Sequence, residues 1–136
     1  AKRAHENRSD YTVLINSKTK PSGFVEIRDT FIAVGLLDSL LRVRLTVVFN
    51  EIEPDRVFLT QMTDRHFGGD SDNVAWGDTY YFQPDGSLRI LREEFAPKSR
   101  TITETSTDVT ANYDRYPEFG DYAHLLREDR QPLRGK

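Results

Sequence analysis

The sequence predicts a mainly β (or α+β) fold, an antiparallel meander sheet or open barrel with one or two short helices. Polar and apolar residues alternate over residues 42–49 and a second strand-like run follows at residues 56–63. A Pro-Asp-Gly triplet at 84–86 separates two further strand-like runs. The chain has 136 residues, a length typical of one domain. A single sheet-built domain is therefore expected.

The first hairpin is predicted from period-two alternation. Val43, Leu45, Val47 and Phe49 fall on one side of an extended chain, with polar residues between most of them. Successive side chains of a strand leave opposite faces of the pleat, so this pattern is typical of a strand with one buried face. Pro54 cannot continue a central strand and marks the turn before the second run.

The second hairpin is predicted from its turn. Residues 79–83 and 87–91 flank the triplet at 84–86. Proline presets its own φ, aspartate accepts a local hydrogen bond, and glycine tolerates a positive φ. These properties favour a tight reversal between two antiparallel strands.

The rest of the chain gives weaker signals. Residues 11–15 predict a first strand, and alternation from Val25 predicts a second that runs to Val34. The leucines at 36, 37, 40 and 41 fit either one helical turn or a bent strand. Threonines at every second position over 101–107 predict a long polar strand, whose apolar side resumes at 109, 111 and 113.

The C-terminal part predicts a short helix and then a tail. Asp121 is a candidate N-cap for a helix containing Tyr122, Leu125 and Leu126. We expect a flexible N-terminal tail over 1–10, a single β-rich domain over 11–127, and a flexible C-terminal tail over 128–136.

Composition excludes several classes of protein. There is no cysteine, so disulfides, thiolate zinc sites and cysteine nucleophiles are excluded. No apolar run approaches the roughly 20 residues of a membrane helix, and no membrane partner is expected. We expect a cytoplasmic protein; a signal peptide removed before Ala1 would place it in the periplasm instead.

The charge distribution argues against a nucleic-acid partner. Residues 1–23 carry five basic and two acidic side chains, whereas residues 24–98 carry eight and thirteen. A nucleic-acid binder usually shows a basic stripe on its folded part. This chain instead has a basic N-terminal segment next to an acidic body, so no nucleic-acid partner is expected.

The sequence contains no recognisable catalytic motif. The sequence lacks a GxSxG nucleophile elbow and both glycine-rich phosphate-binding loops. Glu93 and Glu94 are neighbours on a predicted strand and face opposite sides, which does not suit a shared acid–base pair. We expect a protein that is not an enzyme.

Residues 64–78 predict a long polar loop. Carboxylates and a histidine in one segment can bind a cation, but the EF-hand spacing fails, since Val74 and Tyr81 stand at the fifth and twelfth positions counted from Asp70. No metal or cofactor is predicted. The potential ligands are Asp64, His66, Asp70, Asp72, Asn73 and Asp78.

Aromatic residues beside this acidic segment predict a binding surface for another protein. Trp76 and Tyr80 to Phe82 begin the second hairpin, and tyrosine and tryptophan are favoured at protein interfaces. The string YYFQPDG at 80–86 and the string YPEFGDY at 116–122 resemble the small, acidic, cysteine-free immunity proteins of bacterial polymorphic and contact-dependent toxin systems.

The resemblance implies one-to-one capture of a cognate toxin by covering a basic active-site cleft. Asp64, Asp70, Asp72 and Asp78 would steer the association, and Trp76 and Tyr80 would be its anchors. These six residues form the predicted partner-binding site.

Two alternatives stay open. A closed meander barrel could carry a small molecule in an apolar cavity. A structural subunit of a larger assembly could pair through the threonine-rich strand at an exposed sheet edge.

Overall fold

A computed structural model describes residues 10–128 and 130 of the chain. Eight strands follow one another in a single antiparallel meander, and a short ninth strand pairs with the fifth. The strands are β1 (Tyr11–Ile15), β2 (Gly23–Arg28), β3 (Phe31–Leu37), β4 (Val43–Glu53), β5 (Arg56–Phe67), β6 (Val74–Phe82), β7 (Ser87–Phe95), β8 (Lys98–Ser106) and β9 (Tyr113–Arg115). β1 and β8 are the two ends of the strand order, so the sheet is open rather than a closed barrel. The predicted antiparallel meander is confirmed.

One face of the sheet carries most of the apolar core, and we call it the core face. The strand registers place alternate residues of β1 to β7 on this face. Its buried apolar side chains are Tyr11, Val25, Ile27, Ile32, Val34, Leu36, Leu45, Val47, Phe49, Met62, Tyr80, Phe82 and Leu88. The alternation of Leu45, Val47 and Phe49 in β4 is therefore the signature of this buried face. By contrast, Val43, which is predicted to share it, is only half-buried and lies beyond a register shift.

The chain after β8 covers the core face in place of a second sheet. Leu125 is buried in the core cluster, and the Tyr122 hydroxyl lies 3.1 Å from the Tyr11 hydroxyl. The Tyr116 hydroxyl donates a hydrogen bond of 2.7 Å to the Asp29 carbonyl. A sheet that is apolar on one side must bury that side, and here an irregular C-terminal segment does so.

The predicted strand from Val25 to Val34 is wrong as a single element. A turn at Asp29 and Thr30 divides it into β2 and β3, which pair with each other. Asp29 adopts φ 50°, a conformation that aspartate tolerates better than most residues. A two-residue turn without glycine or proline carried no sequence signal strong enough to interrupt the apolar alternation.

The leucine-rich segment forms neither a helical turn nor a continuous bent strand. β3 ends at Leu37, and the Asp38 carboxylate accepts hydrogen bonds from the backbone amides of Leu40 and Arg42 at 2.9 and 3.0 Å. Leu41 has φ 61°. An aspartate turn therefore joins β3 to β4 and leaves Leu40 and Leu41 exposed.

The predicted loop over 64–78 is also wrong in extent. β5 continues to Phe67 and β6 begins at Val74, so the turn spans only residues 68–73. Polar residues can stand in strands where their cross-strand neighbours satisfy them. The acidic composition of the segment concealed that part of it is a hairpin.

Two C-terminal predictions need correction. Val109 does not resume the threonine face of a strand, because a 3-10 turn at Thr110–Asn112 and then β9 follow it. The predicted helix is a single 3-10 turn over Ala123–Leu126. Asp121 does not cap it, because the Asp121 carboxylate accepts a hydrogen bond of 2.8 Å from Arg115.

The predicted tails fall mainly outside the described residues, which exclude 1–9, 129 and 131–136. Two residues of the predicted C-terminal tail are described and contact the domain. Glu128 forms two hydrogen bonds with Arg44, and the buried Arg130 pairs with Asp114. None of the described helices has the length and apolar character of a membrane span.

Candidate functional site

On β5, β6 and β7, the core face carries two rows of polar and aromatic side chains beyond the edge of the apolar core. Asp64 stands opposite Asp78, which stands opposite Arg92. In the next row His66 stands opposite Trp76. These residues alternate along their strands and therefore share one face. We call Asp64, His66, Trp76, Asp78 and Arg92 the stacked cluster.

Planar groups stack across the three strands of the cluster. The His66 and Trp76 rings lie 3.7 Å apart between centroids, with an angle of 7° between their planes. From β7, on the other side of β6, the Arg92 guanidinium carbon lies 4.3 Å from the Trp76 ring centroid. This cation–π contact and the ring stacking hold a partly exposed tryptophan in one orientation.

Arg92 and Asp78 form the strongest polar contact of the cluster. The Arg92 Nε and Nη2 atoms donate hydrogen bonds of 2.6 and 2.7 Å to the two Asp78 carboxylate oxygens. The Asp78 side chain is only 4% exposed, whereas the Arg92 side chain is 45% exposed. This bidentate pair raises the pKa of Arg92 and fixes the plane of its guanidinium against Trp76.

A second carboxylate lies on the opposite side of the cluster. The Asp64 Oδ2 atom is 3.5 Å from the His66 Nε2 atom, and the Asp64 side chain is mostly buried. The cluster thus presents an aromatic ring flanked by an arginine that a carboxylate holds and by a histidine that lies near a second carboxylate.

The acidic turn at 68–73 lies at the tip of the β5–β6 hairpin, and it carries exposed Asp70 and Asp72. The Arg42 Nη1 atom donates hydrogen bonds of 2.7 Å to the carbonyls of both Gly69 and Ser71. The Arg42 Nε atom also contacts the Asp38 carboxylate at 2.8 Å. Arg42 therefore organises the turn while leaving its two carboxylates free to meet solvent.

The structure divides the six predicted partner-binding residues into three groups. Asp64, Trp76 and Asp78 meet in the stacked cluster, whereas Asp70 and Asp72 lie on the neighbouring turn. Tyr80 is 3% exposed and belongs to the core, where burial raises the pKa of its hydroxyl. Tyr80 and Asp78 are two positions apart on β6 and therefore share the core face, but Tyr80 lies where that face is covered by the apolar core. Tyr80 is therefore not available to a partner on the folded surface.

Sequence reasoning missed Arg92 and Arg42, and it did not connect His66 with Trp76. One signal could have found Arg92. Counting outward from the turn at 84–86 pairs Phe82 with Leu88, and the same count reaches Asp78 and Arg92. Arg42 had no such signal, because its contact with the turn joins residues 27 and 29 positions apart.

The closed meander barrel on which the carrier alternative is based is not formed by the described strands. The sheet does not close, and the C-terminal segment fills its core face with Tyr116, Tyr122 and Leu125. Within residues 10–128 and 130, no group of three or more histidine, aspartate or glutamate side chains is placed to hold a metal ion.

Comparison of the chain with protein-family models, with curated proteins and with solved structures finds no match.

Proposed function

We propose that this chain is a non-catalytic protein-binding module whose contact surface is the stacked cluster together with the acidic turn. One observation carries the proposal: Trp76 is held at the surface between His66 and Arg92 by stacking and a bidentate ion pair. A large ring that is already fixed loses little conformational entropy when a partner covers it.

Residue chemistry supports a protein partner. Tryptophan and arginine are enriched among the residues that contribute most to protein–protein affinity. In the cluster they are adjacent, and the Asp78 carboxylate that orients Arg92 is buried beneath it. A partner could therefore contact the ring and the guanidinium without having to desolvate the anchoring carboxylate.

Charge supports a basic partner. Between residues 64 and 78 the chain carries four acidic side chains and one basic side chain. Acidic groups at the tip of a hairpin attract a basic surface and speed its association. The specific form of the proposal is a toxin-neutralising immunity protein that binds its cognate toxin one-to-one over a basic active-site cleft.

The first experiment compares capture of a partner by the parent chain, by Trp76→Ala and by Tyr81→Ala, in lysate of the source organism. Tyr81 is a suitable control because it is 39% exposed and lies on the opposite face of the same strand. We expect the parent and Tyr81→Ala to retain one stoichiometric protein that Trp76→Ala loses. Equal retention by all three, or no partner, contradicts the proposal.

The captured protein then allows association rates to be measured. Removing two steering charges in Asp70→Asn/Asp72→Asn should slow association about tenfold at low salt and flatten its salt dependence. Glu53→Gln/Glu118→Gln removes the same charge from exposed positions elsewhere and should leave the rate near that of the parent. Equal effects of the two double variants would show that only net charge matters, and would exclude the acidic turn as the contact.

A further inference from the structure

β8 is a long, exposed edge of the sheet. All nine of its residues are exposed, and among the described strands only β7 pairs with it. At about 3.3 Å per residue, its free side offers roughly 30 Å of backbone donors and acceptors. Such an edge is a template for another strand.

Two of the usual protections against edge pairing, proline and a bulge, are missing from β8. There is no proline in residues 98–106, and the only lysine is Lys98 at the start. The β7–β8 register runs without a shift from Phe95 opposite Lys98 to Ser87 opposite Ser106. Register shifts interrupt three other strand pairs of the sheet, so the regular geometry of this edge is not a property of every pair.

The side chains of β8 are self-complementary about Ile102, which is the middle residue of the strand. Two antiparallel copies related by a two-fold axis at Ile102 would overlap along their full length. Arg100 would then face Glu104 of the second copy, and Ile102 would face Ile102 of the second copy. Opposite charges and apolar pairs directly across strands stabilise antiparallel pairing.

The neighbouring strand extends this complementarity. Arg100 lies 3.4 Å from Glu93, and Glu104 lies 3.1 Å from Arg89. In the paired arrangement, one row of side chains would run from Glu93 and Arg100 of one copy to Glu104 and Arg89 of the second copy. The charges in this row, and in the row related to it by symmetry, would alternate in sign across the β7 and β8 strands of both copies. Leu91, which stands opposite Ile102, would continue the apolar row on both sides of the axis.

We propose that the chain forms a symmetric homodimer through antiparallel pairing of β8 with β8 of a second copy, centred on Ile102. The two-fold axis stands perpendicular to the sheet, so the two sheets join into one with their core faces on the same side. The stacked cluster lies on β5, β6 and β7 and is not part of this edge. The proposal does not rest on the proposed protein-binding function.

Charge reversal at two exposed positions tests both the surface and the register. Arg100→Glu places a carboxylate opposite the Glu104 carboxylate of the second copy, and Glu104→Arg places a guanidinium opposite the Arg100 guanidinium. Each variant alone should raise the dimer dissociation constant about tenfold or more, because two symmetric attractive pairs become repulsive. Mixed together, the two variants carry complementary edges and should form a heterodimer about tenfold or more tighter than the homodimer of either variant.

Sedimentation velocity of each protein and of the mixture measures these outcomes, with thermal unfolding to establish that every variant is folded. Glu53→Arg, in the β4–β5 turn region and away from β8, controls for a general effect of added positive charge. A parent that remains monomeric at its highest soluble concentration overturns the proposal. So does a dimer that both single variants leave intact, or a mixture of folded variants that does not associate.

Discussion

At the scale of single residues, the stacked cluster contains an unfavourable pair that its neighbours offset. Asp64 and Asp78 stand directly opposite each other on β5 and β6, and like charges in that position destabilise a sheet. Arg92 neutralises Asp78 through two short hydrogen bonds, while His66 lies beside Asp64. The two carboxylates thus have different neighbours, an arginine for Asp78 and a histidine for Asp64.

Because Asp78 is buried and Arg92 is half-exposed, replacing Arg92 should lower the free energy of unfolding more than replacing Asp78. Arg92→Met leaves a buried carboxylate without its partner and should cost about 2–3 kcal/mol of unfolding free energy. Asp78→Asn leaves a half-exposed guanidinium that water can solvate, and should cost about 1 kcal/mol. Urea unfolding of both variants measures the difference.

The double variant Arg92→Met/Asp78→Asn provides the control for this prediction. Because it removes the buried charge, it should be more stable than Arg92→Met alone. Equal stability of the two single variants would show that burial of Asp78 does not make Arg92 the more important partner.

At the scale of secondary-structure elements, close packing on the outer face joins β2 and β3. Phe24 stands opposite Gly35 in the register, and its ring lies over the glycine backbone. A methyl group at Gly35 would overlap the Phe24 ring. Glycine within a strand is usually unfavourable, so its position here is explained by the space that the ring occupies.

Gly35→Ala should therefore destabilise the domain by about 1–3 kcal/mol, the usual cost of overpacking. Gly68→Ala is the matched control, since no atom lies within 4 Å of a methyl group there, and it should change stability by less than about 0.5 kcal/mol. Thermal or urea unfolding measures both. Replacing Phe24 by alanine in the Gly35→Ala background should recover part of the loss, and no recovery would contradict this explanation.

At the scale of the whole molecule, the C-terminal segment functions as the second layer of the fold. Its contacts reach β1 through Tyr122, the β2–β3 turn through Tyr116, and β4 through Glu128. The last contact is an ion pair in which Arg44 donates hydrogen bonds of 2.9 and 3.2 Å to the Glu128 carboxylate. The β3–β4 register pairs Leu37 with Val43 and Leu36 with Leu45, so Arg44 is the extra residue of a bulge.

The Glu128 contact predicts a pH-dependent contribution to stability. Hydrogen bonding from Arg44 holds the pKa of Glu128 below its usual value of 4.5, so the contribution is present above that pH and is lost as the pH falls through the lower value of the folded state. Glu128→Gln should lower the unfolding free energy at pH 7 by about 0.2–1 kcal/mol, the range of exposed pairs.

Urea unfolding at neutral pH and well below pH 4 tests this expectation, because the parent and Glu128→Gln should become equally stable in acid. Glu118→Gln, at an exposed position, serves as the control for a change of net charge. A difference between the parent and Glu128→Gln that persists unchanged in acid would contradict the role of the charged pair.

The sequence by itself determined the fold class and the two long hairpins. Alternation in β4 and the Pro-Asp-Gly turn depend only on residues that are close in the sequence. Patterns of this kind can be recognised without knowledge of the tertiary structure. Counting from that turn also fixes which residues of β6 and β7 stand opposite each other. The sequence further identified Trp76, Asp64 and Asp78 as candidate site residues, although it placed them in a loop.

Only the tertiary structure decided which of these residues meet and which remain accessible. Tyr80 is buried because its face continues into the apolar interior, and the closure of that interior depends on contacts such as that between Tyr11 and Tyr122, 111 positions apart. Such contacts depend on the path that the C-terminal segment takes over the sheet. The alternation of polar and apolar residues along the sequence does not predict this path. Local periodicity thus specified the strands, while long-range packing decided the open sheet, its covering layer and the surface position of Trp76.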